Sequence, residues 1–414
     1  MKKEENQNNN LPKNWELKQI EEIVMKTEQI NPIHLPGKFE YIDVSSISRE
    51  FLRIENTTSM SKQNAPGRAR KPVKTGDVII ATVRPTLKRL AFIEKEYNNQ
   101  ICSTAFCVLR NNPDLIENRY LFYAIQQPYI YEILKTMQGG ASYPAVTDKN
   151  IRSLFIPLPS KEEQKKIVAV LHEIQKAIET QDAIIKTTQE LKKSTMQYLF
   201  THGLYGEKTR ESPIGKIPES WGIGTLKDLC DIISDTCLPS NNSELVYIGL
   251  EHMDTASFFL NRVGSPKDVV SSKNKFAKND VLYGKLRPYL DKAVVAESDG
   301  ICSTDILVFR PKKNIPPLFL LGILHSSRFI DYAIQTTHGV NHPRTSWKSL
   351  QFYELGVPLI KEQQKIGDTL NIIEQEIVTH ISKRTCLQKL FNSMLNRLMI
   401  GELRINNLTN FKKD

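Results

Sequence analysis

The sequence contains no run of 18 or more apolar residues, and no apolar segment follows its charged N-terminus. A membrane-spanning helix needs about 20 consecutive apolar residues, so we expect none here. A secretory signal peptide also needs an apolar stretch after its charged start. We therefore expect a cytoplasmic protein in which residues 1–10 form a disordered polar tail.

Motifs for metal binding and catalysis are also missing. The six cysteines form no Cys-x-x-Cys pair and the eight histidines form no His-Glu-x-x-His pattern, which disfavours zinc sites. Glu207 separates Gly206 from Lys208, so no P-loop is formed there. No Asn/Asp-Pro-Pro-aromatic motif of an adenine methyltransferase occurs. We expect no catalytic residue, metal or cofactor in this chain, with an unrecognised DNA-modifying enzyme as the alternative.

Positive charge is in excess, and it is concentrated in two windows. The net charge is +10; residues 62–95 hold nine Lys/Arg against two Asp/Glu, and residues 267–292 hold seven against three. Phosphate backbones favour clustered Lys and Arg because binding releases condensed counterions. The windows predict two polyanion-binding sites, with solvated basic loops as the alternative.

Both windows belong to a sequence repeat that covers most of the chain. ICSTAFCVLR from Ile101 returns as ICSTDILVFR from Ile301, and IPLPSKEEQKKI from Ile156 returns as VPLIKEQQKI from Val357. The offset stays close to 200 residues throughout, as small loop insertions in a duplicated unit predict.

Each repeat begins with short β-rich runs and amphipathic helices, separated by Gly, Pro and Asn, which favours a mixed α/β (α+β) domain. A long helical pattern follows each domain. The predicted segments after the tail are a first domain at 11–158, a central helix at 160–205, a second domain at 212–357 and a C-terminal helix at 360–405.

Both long helices carry apolar residues at alternating spacings of four and three, the pattern of a coiled coil. Gln181, His380 and Arg384 interrupt this seam midway, and we interpret them as setting its register. Because each helix leads away from its own domain, we expect antiparallel pairing that places the domains at opposite ends of a spacer. The alternative is that each helix packs only on its own domain. The predicted seam comprises Ile167, Leu171, Ile174, Ile178, Ile185, Ile366, Leu370, Ile373, Ile377, Leu387 and Phe391.

This organisation resembles the specificity (S) subunit of type I restriction–modification systems over essentially the whole chain. The likeness rests on KLRPYLDKAVVAE from Lys285, ICSTDILVFRP from Ile301, and the PLPSKEEQKKI and PLIKEQQKI stretches before the helices. It implies a DNA-binding, non-catalytic subunit whose two target-recognition domains, 11–158 and 212–357, each read one half of an asymmetric bipartite target.

The resemblance also implies partners. The paired helices would set the half-site spacing and dock two methyltransferase (M) subunits, and motor-nuclease (R) subunits would join them. S-adenosylmethionine and ATP/Mg would bind those partners and not this chain. A protein–protein scaffold with incidental basic loops is a further alternative.

The duplicated Arg-Pro loops supply one set of candidate DNA contacts. The guanidinium group of arginine can bind a phosphate or a guanine through two parallel N–H groups. Because both halves share the motif, we favour phosphate positioning or loop support, with a structural Arg–carboxylate pair as the alternative. The set is Arg84, Lys88, Arg89, Lys285, Arg287, Tyr289 and Lys292.

A second set lies where the halves differ, since unlike half-sites need unlike base contacts. Residues 57–72 and 264–276 are equivalent in position but unlike in content, as are the loops that begin at Gln138 and Thr337. The candidates are Arg68, Arg70, Lys71, Lys273, Lys275, Gln138, Ser142, Tyr143, Asn341, His342 and Arg344.

Overall fold

The computed structural model describes residues 11–34, 37–140, 143–239 and 245–405. The predicted tail at 1–10 and the candidate Ser142 lie outside these residues. Within them, no helix is both long and apolar enough to span a membrane. The chain divides into two compact units, Met1–Glu179 with Thr385–Asp414, and Thr180–Arg384. Each unit therefore holds one globular domain together with a part of each long helix.

The described residues of the first unit form three small sheets and four short helices besides their share of the long helices. Strands β2-β9-β6-β7 form one four-stranded sheet, β4-β3-β8-β5 form another, and β1 pairs with β10. The strands are β1 (Glu16–Gln19), β2 (Val24–Met25), β3 (Lys38–Ile42), β4 (Thr58–Ser61), β5 (Ala69–Pro72), β6 (Val78–Ala81), β7 (Leu90–Phe92), β8 (Ile101–Ser103), β9 (Phe106–Asn111) and β10 (Phe155–Leu158). The helices are α1 (Ile20–Ile23), α2 (Asn118–Ile125), α3 (Pro128–Met137) and α4 (Asp148–Arg152).

The second unit repeats most of this design and adds one hairpin, β11 with β12. One sheet differs at its edges, because β15 pairs with β17 in the second unit whereas β4 pairs with β3 in the first. Its sheets have the orders β14-β21-β18-β19, β15-β17-β20-β16 and β13-β22. The strands are β11 (Thr209–Ser212), β12 (Gly215–Pro218), β13 (Gly222–Thr225), β14 (Cys230–Ile233), β15 (Thr236–Cys237), β16 (Val246–Ile248), β17 (Lys273–Phe276), β18 (Val281–Gly284), β19 (Ala293–Val295), β20 (Gly300–Cys302), β21 (Ile306–Pro311) and β22 (Glu354–Val357). The short helices are α6 (Leu226–Leu229), α7 (Pro317–Leu324), α8 (Ser327–Gln335) and α9 (Trp347–Leu350).

The central strands of both domains are buried on both faces, which explains why their sequences run apolar instead of alternating. Every residue of β6 and of β18 is buried. Strand β6 pairs with β9 and β18 pairs with β21, both antiparallel and with equivalent registers. The predicted mixed α/β fold with two repeated domains is confirmed.

The repeated ICST stretches form strands β8 and β20 and the turns that follow them. Ser103 and Ser303 each accept a hydrogen bond from the backbone N–H two residues later, at 3.2 Å in both domains. Burial raises the pKa of the Cys302 thiol to about 12, so it is an inert thiol. The repeat therefore marks shared scaffold.

The two long helices are α5 (Lys161–His202) and α10 (Ile360–Met399). Each ends before the predicted residue, 205 or 405. Gly203 and Gly401 follow the last turns with φ of +69° and +74°, the left-handed conformation in which glycine terminates helices.

Within the second unit, α5 and α10 run antiparallel. Asp182 pairs with Arg384 at 3.1 Å and Lys192 pairs with Glu374 at 2.6 Å, so residue numbers rise along one helix as they fall along the other. His380 Nδ1 lies 2.7 Å from Gln181 Oε1. These polar contacts fix the register of the seam, as predicted for its midpoint.

The seam residues also pack against the globular domains. Every predicted seam position is buried or half-buried. In the first unit, Ile167, Leu171 and Phe391 belong to the same apolar core as the helix α2 residues. In the second unit, Ile366 and Leu370 join the core of α7. Helix pairing and packing on the domain therefore occur together and do not exclude each other.

Candidate nucleic-acid interface

Each domain projects an Arg-Pro loop, residues 82–89 in the first and 285–292 in the second. Arg84 and Arg287 have φ of 47° and 51°, a left-handed conformation. This region is unfavourable for a residue with a Cβ, and a following proline restricts it further. Strain of this kind is retained where the surrounding structure holds it, often at functional sites. Both guanidinium-bearing residues are exposed.

A second loop holds each Arg-Pro loop in place. The backbone N–H of Arg84 donates to Pro144 O at 2.7 Å, and that of Arg287 donates to Pro343 O at 2.8 Å. Both prolines belong to a turn that we call the glycine hairpin, residues 138–146 and 337–345. The two loop families predicted to contact DNA therefore form one continuous surface in each domain.

The described residues of the glycine hairpins, which leave out 141 and 142, form equivalent backbone hydrogen bonds in both domains. Gly139 and Ala145 exchange two hydrogen bonds of 3.0 Å, and His338 and Arg344 exchange two of 2.9 and 3.0 Å. Gly140 and its equivalent Gly339 have φ of +90° and +91°, so both turns require glycine there.

The first domain presents an aromatic and cationic surface. Tyr143 is 71% exposed, and the guanidinium of Arg84 lies 5.5 Å from the centre of its ring. That distance is within cation–π range. Gln138 is half-buried at the end of α3, where its side-chain amide donates to Lys135 O at 3.4 Å.

The second domain presents a more strongly polar surface. Arg287, Tyr289, Asn341 and His342 are exposed, and Lys285 is half-buried. Arg344 donates from Nε and Nη2 to the two carboxylate oxygens of Asp305, at 2.9 and 3.2 Å. The Arg344 guanidinium holds the pKa of the Asp305 carboxyl below its usual value, so the pair is ionic.

The last basic residue of each Arg-Pro loop turns inward. Arg89 donates from Nη1 to Val44 O, and Lys292 donates from Nζ to Leu250 O at 2.7 Å. Both side chains therefore hold a neighbouring 3-10 turn, and their role as DNA contacts stays a prediction. Lys88 remains exposed, 5.2 Å from the Tyr131 ring centre.

Two further candidates are buried. The Lys71 ammonium donates to Phe106 O and to Asp148 Oδ2, both at 2.6 Å. Lys273 donates to the carbonyl and hydroxyl oxygens of Ser271. Only 6% of each residue is exposed, so burial contradicts a role for either in DNA contact.

Three of the candidates from the divergent loops stay at the surface. Arg70 is exposed and donates from Nε to Gly67 O at 2.7 Å. Arg68 lies 3.8 Å from Asp43, and Lys275 lies 3.1 Å from Asp235. They remain candidates for phosphate contact.

Sequence reasoning missed Asp305, the partner of Arg344. The sequence does mark this residue: the repeated stretches that begin at Ile101 and Ile301 differ at their fifth position, where the first domain has Ala105 and the second has Asp305. Across the part of the chain that the structure describes, no cluster of three or more His, Cys, Asp or Glu side chains suits a metal ion.

A family model described as "Type I restriction modification DNA specificity domain" matches residues 12–189 and 218–384. The chain belongs to this family. The prediction of a type I specificity subunit, the recognition and not the catalytic component of such a system, is confirmed by this match.

Relatives in the family match most of the length of the chain. The type I restriction enzyme MjaVIII specificity subunit of Methanocaldococcus jannaschii is 24% identical, over 96% of this chain and 95% of its own. The EcoDI specificity subunit of Escherichia coli is 23% identical over 70% of this chain and 71% of its own.

Solved structures agree with this assignment. One chain, from a structural study of the assembly and conformational transition of the type I R-M system, has a TM-score of 0.57 at 26% identity, covering 95% of this chain and 99% of its own. The S subunit from M. genitalium has a TM-score of 0.61 at 15% identity, covering 94% and 97%, and shares the fold. The specificity-subunit architecture, with two repeated domains and two long helices, is therefore that of this chain.

Proposed function

We propose that this specificity subunit reads an asymmetric bipartite DNA sequence, one half with each recognition domain. The observation that carries the proposal is the pairing of an Arg-Pro loop with a glycine hairpin in each domain. The backbone of this surface is repeated, whereas its side chains differ. Arg84 with Tyr143 occupies the surface in the first domain, and Arg287 with Arg344 occupies it in the second.

Within each surface, the shared and the divergent residues have different roles. Arginine occupies the equivalent position in both domains, and Arg84 and Arg287 have the same strained backbone conformation. A shared residue of this kind suits the sequence-independent phosphate contacts that position a protein on DNA. Tyr143, Asn341, His342 and Arg344 differ between the domains, and base readout requires such differences. The surface residues Arg68, Arg70, Lys88 and Lys275 add to the electrostatic attraction.

We assign the spacer role to α5 and α10, whose register is fixed by the contacts of His380 and Arg384. Methyltransferase subunits dock on this spacer, and motor-nuclease subunits join the complex; S-adenosylmethionine and ATP/Mg bind those partners. The complex acts in the cytoplasm. The family match supports assembly with such subunits, and the number of each belongs to the proposal.

Co-expression with methyltransferase subunits of its own system tests the proposal. Modified bases are mapped across the host genome with and without this chain. The expected result is one bipartite motif with two unlike halves that appears only when the chain is present. Methylation without the chain, or a single continuous motif in place of a bipartite one, would contradict it. Methyl transfer by this chain alone with S-adenosylmethionine would favour the enzyme alternative.

Insertion of four residues after Ile178 tests the spacer. Four residues lengthen a helix by about 6 Å, so the gap between half-sites is expected to change while their bases do not. Insertion of four residues after Gly401, beyond the end of α10, is the matched control. If the insertion after Ile178 left the gap between the half-sites unchanged, the spacer assignment would be wrong.

A further inference from the structure

Among its described residues, the second recognition domain contains two Arg–Asp pairs in which one guanidinium binds both carboxylate oxygens. Arg310 donates to Asp280 at 2.8 and 2.8 Å. Arg344 donates to Asp305 at 2.9 and 3.2 Å. The first pair has an equivalent in the first domain, Arg110 with Asp77 at 2.9 and 2.7 Å. A pair that recurs in both domains belongs to the shared scaffold.

The second pair has no equivalent in the first domain. Ala105 stands where the second domain has Asp305, and Ala145 stands where it has Arg344. Both members are therefore absent together, although they lie 39 residues apart in the chain.

The backbone around the pair does not need it. In the first domain Thr82 N donates to Ala105 O at 2.8 Å, and Val146 N donates to Thr82 O at 2.9 Å. In the second domain the equivalent bonds run from Lys285 N to Asp305 O at 2.9 Å and from Thr345 N to Lys285 O at 3.1 Å. The alanine-containing domain thus forms the same three-segment junction, so the fold alone does not explain Asp305 and Arg344.

Stability alone is not a sufficient explanation for the pair either. The Arg344 side chain is 43% exposed and that of Asp305 is 27% exposed. Ion pairs exposed to solvent contribute little because water and salt screen them. What the carboxylate does is hold the guanidinium in one orientation on the surface shared by the Arg-Pro loop and the glycine hairpin.

In this orientation, part of the Arg344 guanidinium remains free to donate hydrogen bonds to a ligand. Asp305 accepts from Nε and from one N–H of Nη2. Among the described residues, Nη1 of Arg344 has no hydrogen-bond acceptor, so its two N–H groups and the other N–H of Nη2 are available. Two parallel N–H groups of this kind match O6 and N7 of guanine in the major groove.

We propose that Arg344, oriented by Asp305, reads a guanine in the half-site of the second recognition domain. Arg344 is the specificity-determining residue and Asp305 is its positioning residue. A phosphate is the poorer ligand for this fork, because the Asp305 carboxylate beside it repels a second anion. Lys285, whose charge also acts on the Asp305 carboxylate, and Arg287, which has no carboxylate partner among the described residues, lie on the same loop and suit the backbone contacts. This inference rests on the proposed function, since it assigns one base of that target.

The test uses the full chain co-expressed with the methyltransferase subunits of its system, with modified bases mapped genome-wide. The variants are R344A, D305A and the double variant D305A/R344A, which installs the two alanines of the first domain. R310A, which breaks the scaffold pair, is the matched control. Thermal unfolding of each purified variant separates misfolding from altered recognition.

The wild type is expected to require guanine at one position of one half-site. R344A and the double variant are expected to relax that position by roughly 5- to 150-fold, the range for one good bidentate base contact. D305A relaxes the same position less, because the fork persists but is no longer oriented. All other positions keep their preference, and R310A lowers the unfolding temperature without altering the motif.

Three results would overturn the inference. If R344A weakened DNA binding equally for all sequences and reduced the salt dependence of binding by about one phosphate contact, Arg344 would be a contact to the DNA backbone. An unchanged motif in R344A would make the pair a surface ion pair only. A changed base in both half-sites would place the effect outside one domain. Failure of the proposed function is distinguishable, because the wild type itself would then yield no bipartite motif.

Discussion

The two units place different chemistry at equivalent positions where the recognition domain meets the long helices. The repeat aligns Gln175 with Glu374 and Phe391 with Lys192. In the first unit Gln175 accepts a hydrogen bond from Tyr123, whose ring lies 6.0 Å from that of Phe391. The junction there is largely aromatic.

The second unit fills the same junction with a buried ion pair. Lys192 Nζ lies 2.6 Å from Glu374 Oε2 and also donates to Ala256 O at 2.7 Å. Glu374 Oε1 accepts from Phe258 N at 2.9 Å. Burial lowers the pKa of Lys192, and the nearby Glu374 carboxylate opposes this effect. The charged pair therefore ties the loop at 254–259 to both helices.

The adjoining cavities differ as well. Beside the ion pair the cavity has a volume of about 920 Å³, against about 180 Å³ at the equivalent place in the first unit. A buried charge needs specific partners, whereas an aromatic ring needs only close packing. Two unrelated kinds of interaction therefore stabilise equivalent junctions of the repeat.

Removing the charge of Glu374 is expected to have the largest effect on stability. E374Q leaves the Lys192 ammonium buried without its counter-charge, and breaking such a pair destabilises a protein by about 3–5 kcal/mol. Urea unfolding of the full chain measures the loss, and hydrogen exchange locates it at 254–259. E402Q, which breaks an exposed pair with Arg397, is the control and should change stability by about 1 kcal/mol or less.

The double variant K192F/E374Q sharpens this comparison, since it installs the Phe and Gln of the first unit. Apolar replacement of a buried ion pair is often neutral, so the variant is expected to regain most of the stability lost in E374Q. If E374Q itself were as stable as the wild type, the ion pair would not hold the junction.

The Arg-Pro loops are expected to show smaller and matched effects. R84A and R287A each remove one exposed guanidinium from the same strained position. Because the two loops share a backbone, both variants should weaken DNA binding uniformly across sequences and reduce the salt dependence by about one phosphate contact. Binding titrations of the methyltransferase complex at several salt concentrations measure this. A changed motif in either variant would instead make that arginine a base contact.

The repeat made much of the fold predictable. Its matched strands, the apolar seam and the polar interruption at Gln181 and His380 all follow from spacing and residue type. The double use of the seam, against the partner helix and against the domain, was not predictable. Periodicity identifies an apolar face and does not say which surfaces cover it.

The candidate site was predicted less completely, because the sequence does not reveal where a basic side chain points. Lys71, Lys273, Arg89 and Lys292 lie in basic windows yet donate to internal oxygens. Their carbonyl acceptors are backbone atoms, and because every residue has a backbone carbonyl, the sequence does not show which of them accept. Asp305 and Arg344 did leave one, since both differ from the alanines of the first domain.

The most direct test of independent reading by two domains is an exchange of residues 11–158 for those of a related specificity subunit. Modified bases are mapped after co-expression with the methyltransferase subunits. We expect one half of the bipartite motif to change to that of the relative and the other half to stay the same. A change in both halves, or in neither, would contradict it.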